Sequence, residues 1–132
     1  MLPEIQVKIC ITGVTLTPEK ITNYIDILPT ETWAIGDLIQ KSSITRKHNG
    51  WCISTASEKG YDFKQPIKRL LHILKPKLTV IGNFCRENNL DVELSCIAYV
   101  VDETPACYLD KDIISVLSQL GASVDFDIIL TE

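Results

Sequence analysis

The sequence predicts an α+β domain in which helices pack on an antiparallel sheet, with elements in the order β-α-β-β-α-α-β-β-α-β. Three stretches carry that prediction. Apolar residues alternate with polar ones over Ile5 to Ile11 and again over Leu90 to Val101, the period-two signature of a strand. Leu16-Thr17-Pro18-Glu19 has the composition of a helix start. The run from Leu109 to Leu130 begins at helical period and changes to strand period after Gly121. At 132 residues the chain suits one domain, 1–132, large enough to bury a core without staples.

Taken in order, the first strand places Ile5, Val7, Ile9 and Ile11 on one face and Gln6, Lys8, Cys10 and Thr12 on the other. After Gly13, Thr17 caps a helix, Pro18 sits at its first position, and Ile21, Tyr24, Ile25 and Leu28 form its buried stripe up to Pro29. Thr32–Ile35 and Leu38–Gln40 suit short strands. Lys41–Asn49 is a polar loop holding Arg46, Lys47 and His48. Asn49-Gly50 is the dipeptide of a tight hairpin, and Trp51 to Thr55 follows as a strand with Trp51 as a core anchor. A helix starting near Asp62 or Gln65 runs to Leu74 on Ile67, Leu70, Leu71 and Leu74. Lys75-Pro76 interrupts, and a second helix, about Lys77–Asn88, buries Leu78, Ile81 and Phe84 or Cys85. The long strand Leu90–Val101 turns apolar on both sides toward its end, which predicts cover on both faces there. Asp102-Glu103-Thr104-Pro105 turns the chain and Ala106–Leu109 pairs back as a strand. Asp110 then caps a helix striped by Ile113, Ile114, Val116, Leu117 and Leu120. Val124, Phe126, Ile128 and Leu130 face inward on the last strand, with Asp125 and Asp127 outward.

The two ends look alike. Leu16-Thr17 and Leu109-Asp110 hold the same capping position, and Ile21, Tyr24 and Ile27 are answered by Ile114, Leu117 and Leu120. The match suggests a degenerate two-fold internal repeat.

Apolar content of 45% and charged content of 23% fit an ordinary globular protein, and no apolar run nears the roughly 20 residues that span a bilayer. Met1 to Val7 has neither the basic nor the apolar region of a signal peptide. The five cysteines are scattered with no Cys-x-x-Cys pair, which predicts reduced thiols in a cytoplasmic protein. A net charge of −4 conceals an imbalance: residues 1–76 carry ten Lys and Arg against seven Asp and Glu, and residues 77–132 carry three against ten. An acidic C-terminal part disfavours nucleic acid and favours a basic protein partner.

No pattern of catalytic residues stands out. Asp110-x-Asp112 and Asp125-x-Asp127 supply oxygen ligands, but Asp110 and Asp112 are accounted for by the helix start, so no metal site is predicted. Neither His48 nor His72 has a nucleophile or carboxylate at a recognisable spacing, and the glycines are too dispersed to cradle phosphate. No cofactor is expected. Arg46-Lys47-His48 with Trp51 is too small a basic patch for nucleic acid. A protein-binding surface needs less: the outward pair Asp125 and Asp127, continued by Asp91 and Glu93 where their strands are neighbours, forms an acidic row.

Ile11-Thr12-Gly13 with Leu16-Thr17-Pro18-Glu19 and Ile21, Leu28-Pro29-Thr30 with Gly36-Asp37, Asn49-Gly50-Trp51, and Leu109 through Gly121 with Asp125-Phe126-Asp127 together resemble the bacterial family known as domain of unknown function 4279. The resemblance spans nearly the whole chain and implies a shared fold more than a shared activity. It also implies similarity to small acidic α+β immunity proteins, which protect a cell from its own or its siblings' secreted toxins. The expected function is therefore a cytoplasmic immunity protein, with no enzymatic activity, whose acidic row binds and neutralises a cognate toxin domain such as a nuclease. The alternative is a small-molecule-binding or enzymatic domain with a pocket near Trp33, Arg46, His48 and Trp51.

Overall fold

The computed structural model describes residues 1–131. Its strands are β1 (Glu4–Gly13), β2 (Glu31–Trp33), β3 (Asn49–Ser54), β4 (Glu58–Lys59), β5 (Asp91–Val100) and β6 (Ala122–Leu130). Its helices are α1 (Pro18–Ile25), α2 (Lys64–Leu74), α3 (Leu78–Glu87) and α4 (Lys111–Leu120), with a short 3-10 turn at Lys75–Lys77 between α2 and α3. All six strands join one sheet in the order β2-β3-β1-β5-β6, with β4 pairing to the start of β1. The α+β class holds.

The pairing is mixed. β1 is antiparallel to β3 and β5, but β6 is parallel to β5, with Val92 opposite Ala122 and Val100 opposite Leu130. A helix between two strands returns the chain to the end where it started, so the strand after α4 runs in the direction of the strand before it. β1 and β2, on either side of α1, also run the same way, with β3 inserted between them.

The alternation in the sequence becomes two faces. Ile5, Val7, Ile9 and Ile11 of β1, Trp51 and Ile53 of β3, and Val92, Leu94, Cys96, Ala98 and Val100 of β5 are buried in one apolar cluster with the inner faces of the four helices. Each fully buried Ile or Leu contributes roughly 1.5–3 kcal/mol. Among the described residues no helix packs on the other face of the sheet.

Several local expectations are corrected. Helix α1 stops at Ile25, where Asp26 adopts φ 61°, so Leu28 lies outside it and is 83% exposed; Tyr24 is exposed too, but its ring stacks on Phe84 at 4.0 Å. Thr17 has the extended backbone of a cap, and its carbonyl, not its hydroxyl, meets the helix by accepting from the Lys20 and Ile21 amides. Asn49-Gly50 is strand, not turn: Gly13 and Thr12 lie opposite, and the long connection before it closes through a bridge between Leu38 and Thr45. Ala106–Leu109 is not a strand, and only Ala106 makes a bridge, to Asp62. Both edges of β5 are already taken by β1 and β6, which leaves no place for a returning strand. The far end of β5 is not covered on both sides, because Tyr99 and Val101 are exposed where no helix reaches.

The helix and strand after Asp110 form where expected, but Ile114 lies off the buried stripe and Val124 and Leu130 of the inward row are exposed, because the helix layer covers the last strand only in part. The Ile113 amide donates to Asp110 Oδ1 at 2.8 Å, and Gly121 takes the left-handed exit at φ 67°. That hydrogen bond, aided by Lys68 and Lys64, holds the Asp110 carboxyl below the usual aspartate range despite partial desolvation. A depressed folded-state value means a stabilising contribution present above the unfolded value, about 3.9, and lost as pH falls through the lower folded value. Asp110→Asn, which caps about as well, is expected to flatten the acid limb of a stability-against-pH curve measured by denaturant melts. An unchanged acid limb would show that Asp110 does not contribute to it.

Candidate functional site

The uncovered face of the sheet holds a groove of about 570 Å³. Its floor comes from the outward positions of β1 (Lys8, Cys10, Thr12) and β5 (Asp91, Glu93, Ser95), and Trp33 and Glu31 of β2 with Arg46 form one wall. Strand register sets each neighbour: Glu93 stands opposite Cys10 and Asp91 opposite Thr12 on β1, while Glu93 and Ser123 are partners on the β6 side.

The wall is a layered stack. Trp33 pairs across the strands with Gly50, and a Cβ at Gly50 would fall 2.0 Å from the indole ring, so glycine is what lets the ring lie flat on the sheet. The Arg46 guanidinium covers the ring at 4.2 Å from its centroid, a cation–π contact. Beside it Lys8 Nζ meets Glu31 Oε1 at 3.3 Å. Under the same face Cys10 and Cys52, opposed across β1 and β3 with Cα atoms 4.1 Å apart, form a disulfide. This corrects the expectation of five reduced thiols. Two cysteines at outward positions of adjacent strands become partners once the register is set, and register was the information that spacing lacked.

Trp33, Arg46 and His48 line a second, smaller hollow of about 370 Å³ beside the groove. Trp51 does not join them. Gly50 and Cys52 face outward, so period two turns Trp51 into the core, where it is fully buried and its Nε1 donates to Thr22 Oγ1 at 3.0 Å. Lys8, Glu31 and the disulfide are groove features that spacing alone did not single out.

Asp91 and Glu93 lie in the groove, and Asp125 and Asp127 stand on the same face one strand over, opposite Ser95 and Ile97. All four are exposed, and among the described residues none of the four enters an ion pair. The two cations that line the groove are otherwise engaged, Lys8 with Glu31 and Arg46 with Trp33. Among the described residues no three His, Cys, Asp or Glu side chains converge as metal ligands, and no helix is long and apolar enough to cross a membrane. Burial pushes the Cys96 thiol up to about 12 and Cys85 up to about 11, so neither is a nucleophile at neutral pH.

Fold and surface together define an open-faced α+β protein whose helix-free sheet face is acidic and grooved. Residues 3–131 match the family model described as Domain of unknown function (DUF4279), and the chain belongs to that family. No curated protein and no solved structure matches it significantly.

Proposed function

We propose that this protein is an immunity protein that acts in the cytoplasm and neutralises a cognate toxin domain by seating a basic surface of the toxin on its acidic sheet face. The observation that carries the reading is the grouping of Asp91, Glu93, Asp125 and Asp127 on two adjacent strands of the face that no helix covers. Four unpaired carboxylates in one patch raise the capture rate of a basic partner, and a sheet face is broad enough to block a substrate groove. The Trp33–Arg46 wall at the other side of the groove supplies the aromatic and arginine anchors common at protein interfaces.

The test is binding to the toxin domain encoded beside this chain. Asp125→Asn with Asp127→Asn is expected to slow association about tenfold or more at low salt, with the difference shrinking as salt rises. Tight binding that is unchanged in the double variant and at raised salt would sink the acidic-face mechanism. The hollow at Trp33, Arg46 and His48 favours a second reading, a small-molecule site, and a ligand that quenches Trp33 fluorescence without competing with the toxin would establish it.

A further inference from the structure

The sheet ends in two unlike edges. β2 is three residues long, whereas β6 offers nine consecutive residues, Ala122 to Leu130. Along its whole length β6 pairs only with β5, and among the described residues no loop or turn amide or carbonyl bonds to its other side. A long open edge templates pairing with another chain, so natural sheets blunt such edges with charged side chains, lysine above all, or with proline, bulges or cover, and the only charges on this strand are Asp125 and Asp127. Ala-Ser-Val-Asp-Phe-Asp-Ile-Ile-Leu contains no lysine, proline or glycine.

The helix layer also stops short of this strand. The inner row of β5 is fully buried, but in the matching row of β6 Phe126 and Ile128 are only half-buried, Val124 is 36% exposed and Leu130 is 80% exposed. On the opposite face the row is Asp125 and Asp127. The edge therefore presents an apolar strip on one side and carboxylates on the other, with free backbone groups between them.

We propose that β6 is a docking edge that takes up an extended segment of a partner protein as a seventh strand, with apolar residues beside Val124, Phe126 and Ile128 alternating with lysine or arginine beside Asp125 and Asp127. The proposal rests on the immunity reading above and adds its binding mode, main-chain pairing with the acidic row choosing the partner. A second copy of this chain is the wrong occupant. Antiparallel self-pairing over the full strand centres on Phe126 and sets Asp125 of each copy directly opposite Asp127 of the other, twice over, and like charges facing across strands oppose pairing.

The probe is a fluorescein-labelled ten-residue peptide of alternating lysine and valine, with a control of the same composition in which all lysines precede all valines. Anisotropy should show preference for the alternating peptide, and Asp125→Asn with Asp127→Asn should weaken it by about two- to thirtyfold, the span expected for two lost cross-strand charge pairs. At saturation, hydrogen exchange at the β6 amides that face away from β5 should slow by about tenfold or more, as newly hydrogen-bonded amides do. Equal binding of the two peptides, or no binding at low salt, overturns strand addition. So does binding that depends on the two aspartates while those amides keep their free exchange rates. That last result leaves the acidic-face reading standing, whereas loss of aspartate dependence toward the toxin itself removes that reading and this one together. A dimer in sedimentation with the same amides protected in the absence of peptide would show that the edge pairs with itself and overturn the choice of occupant.

Discussion

Gly82→Ala is expected to lower stability by about 1–3 kcal/mol, the usual cost of forcing an atom into a packed interface. Gly82 is buried in α3 where that helix crosses α4, and a Cβ there would stand 2.3 Å from the Gln119 carbonyl oxygen. That obstacle is backbone in the last turn of α4 and cannot rotate aside, so the two helices must separate. Helix propensity acts in the opposite direction, since alanine in place of glycine in a helix interior gains roughly 0.5–1 kcal/mol. The clash outweighs that gain, and the sign should be destabilising. Asn83→Ala, one residue on and exposed, should stay within about 0.5 kcal/mol of the parent in the same urea melts. A Gly82→Ala variant more stable than the parent would contradict the close α3–α4 crossing.

Reducing the Cys10–Cys52 bridge is expected to have a larger effect. The bond joins residues 42 apart, and chain entropy alone assigns about 4 kcal/mol to a loop of that length, against a total stability of about 5–15 kcal/mol for a domain. The β1–β3 ladder already holds the two thiols opposite each other, so the reduced protein should keep its fold and simply melt earlier. Cys10→Ser with Cys52→Ser should match the reduced parent. Alkylation of the denatured protein without reductant should label three thiols, Cys85, Cys96 and Cys107, and five after reduction. That count is for protein purified in air; in protein taken directly from cells, five labelled without reductant is the result the proposed cytoplasmic location predicts, and three would contradict that location. An unchanged melting midpoint on reduction would remove the bridge from the fold's stability altogether.

Much of the fold was legible because local periodicity reports which face of an element meets the core. The alternation in β1 and β5, the Asp110 cap and the Gly121 exit all stand as read, since each depends on residues a few positions apart. What periodicity omits is the identity of a strand's neighbour. The parallel pairing of β6, the absence of a strand at Ala106–Leu109 and the Cys10–Cys52 bond all follow from which edges were already occupied. The site was legible in the same partial way. Asp91, Glu93, Asp125 and Asp127 share a face because their parity is local and their strands prove adjacent. Trp51 was drawn toward the pocket by sequence proximity to Arg46 and His48, yet strand parity sends it to the opposite side of the sheet.

The chain's two tryptophans thus divide the protein's optical signal between them. Trp51, sealed in the core against Thr22, senses only whether the chain is folded, while Trp33, layered between Gly50 and Arg46 on the groove wall, senses what occupies the groove. With each replaced in turn by phenylalanine, one molecule becomes two spectroscopic instruments, one for folding and one for occupancy.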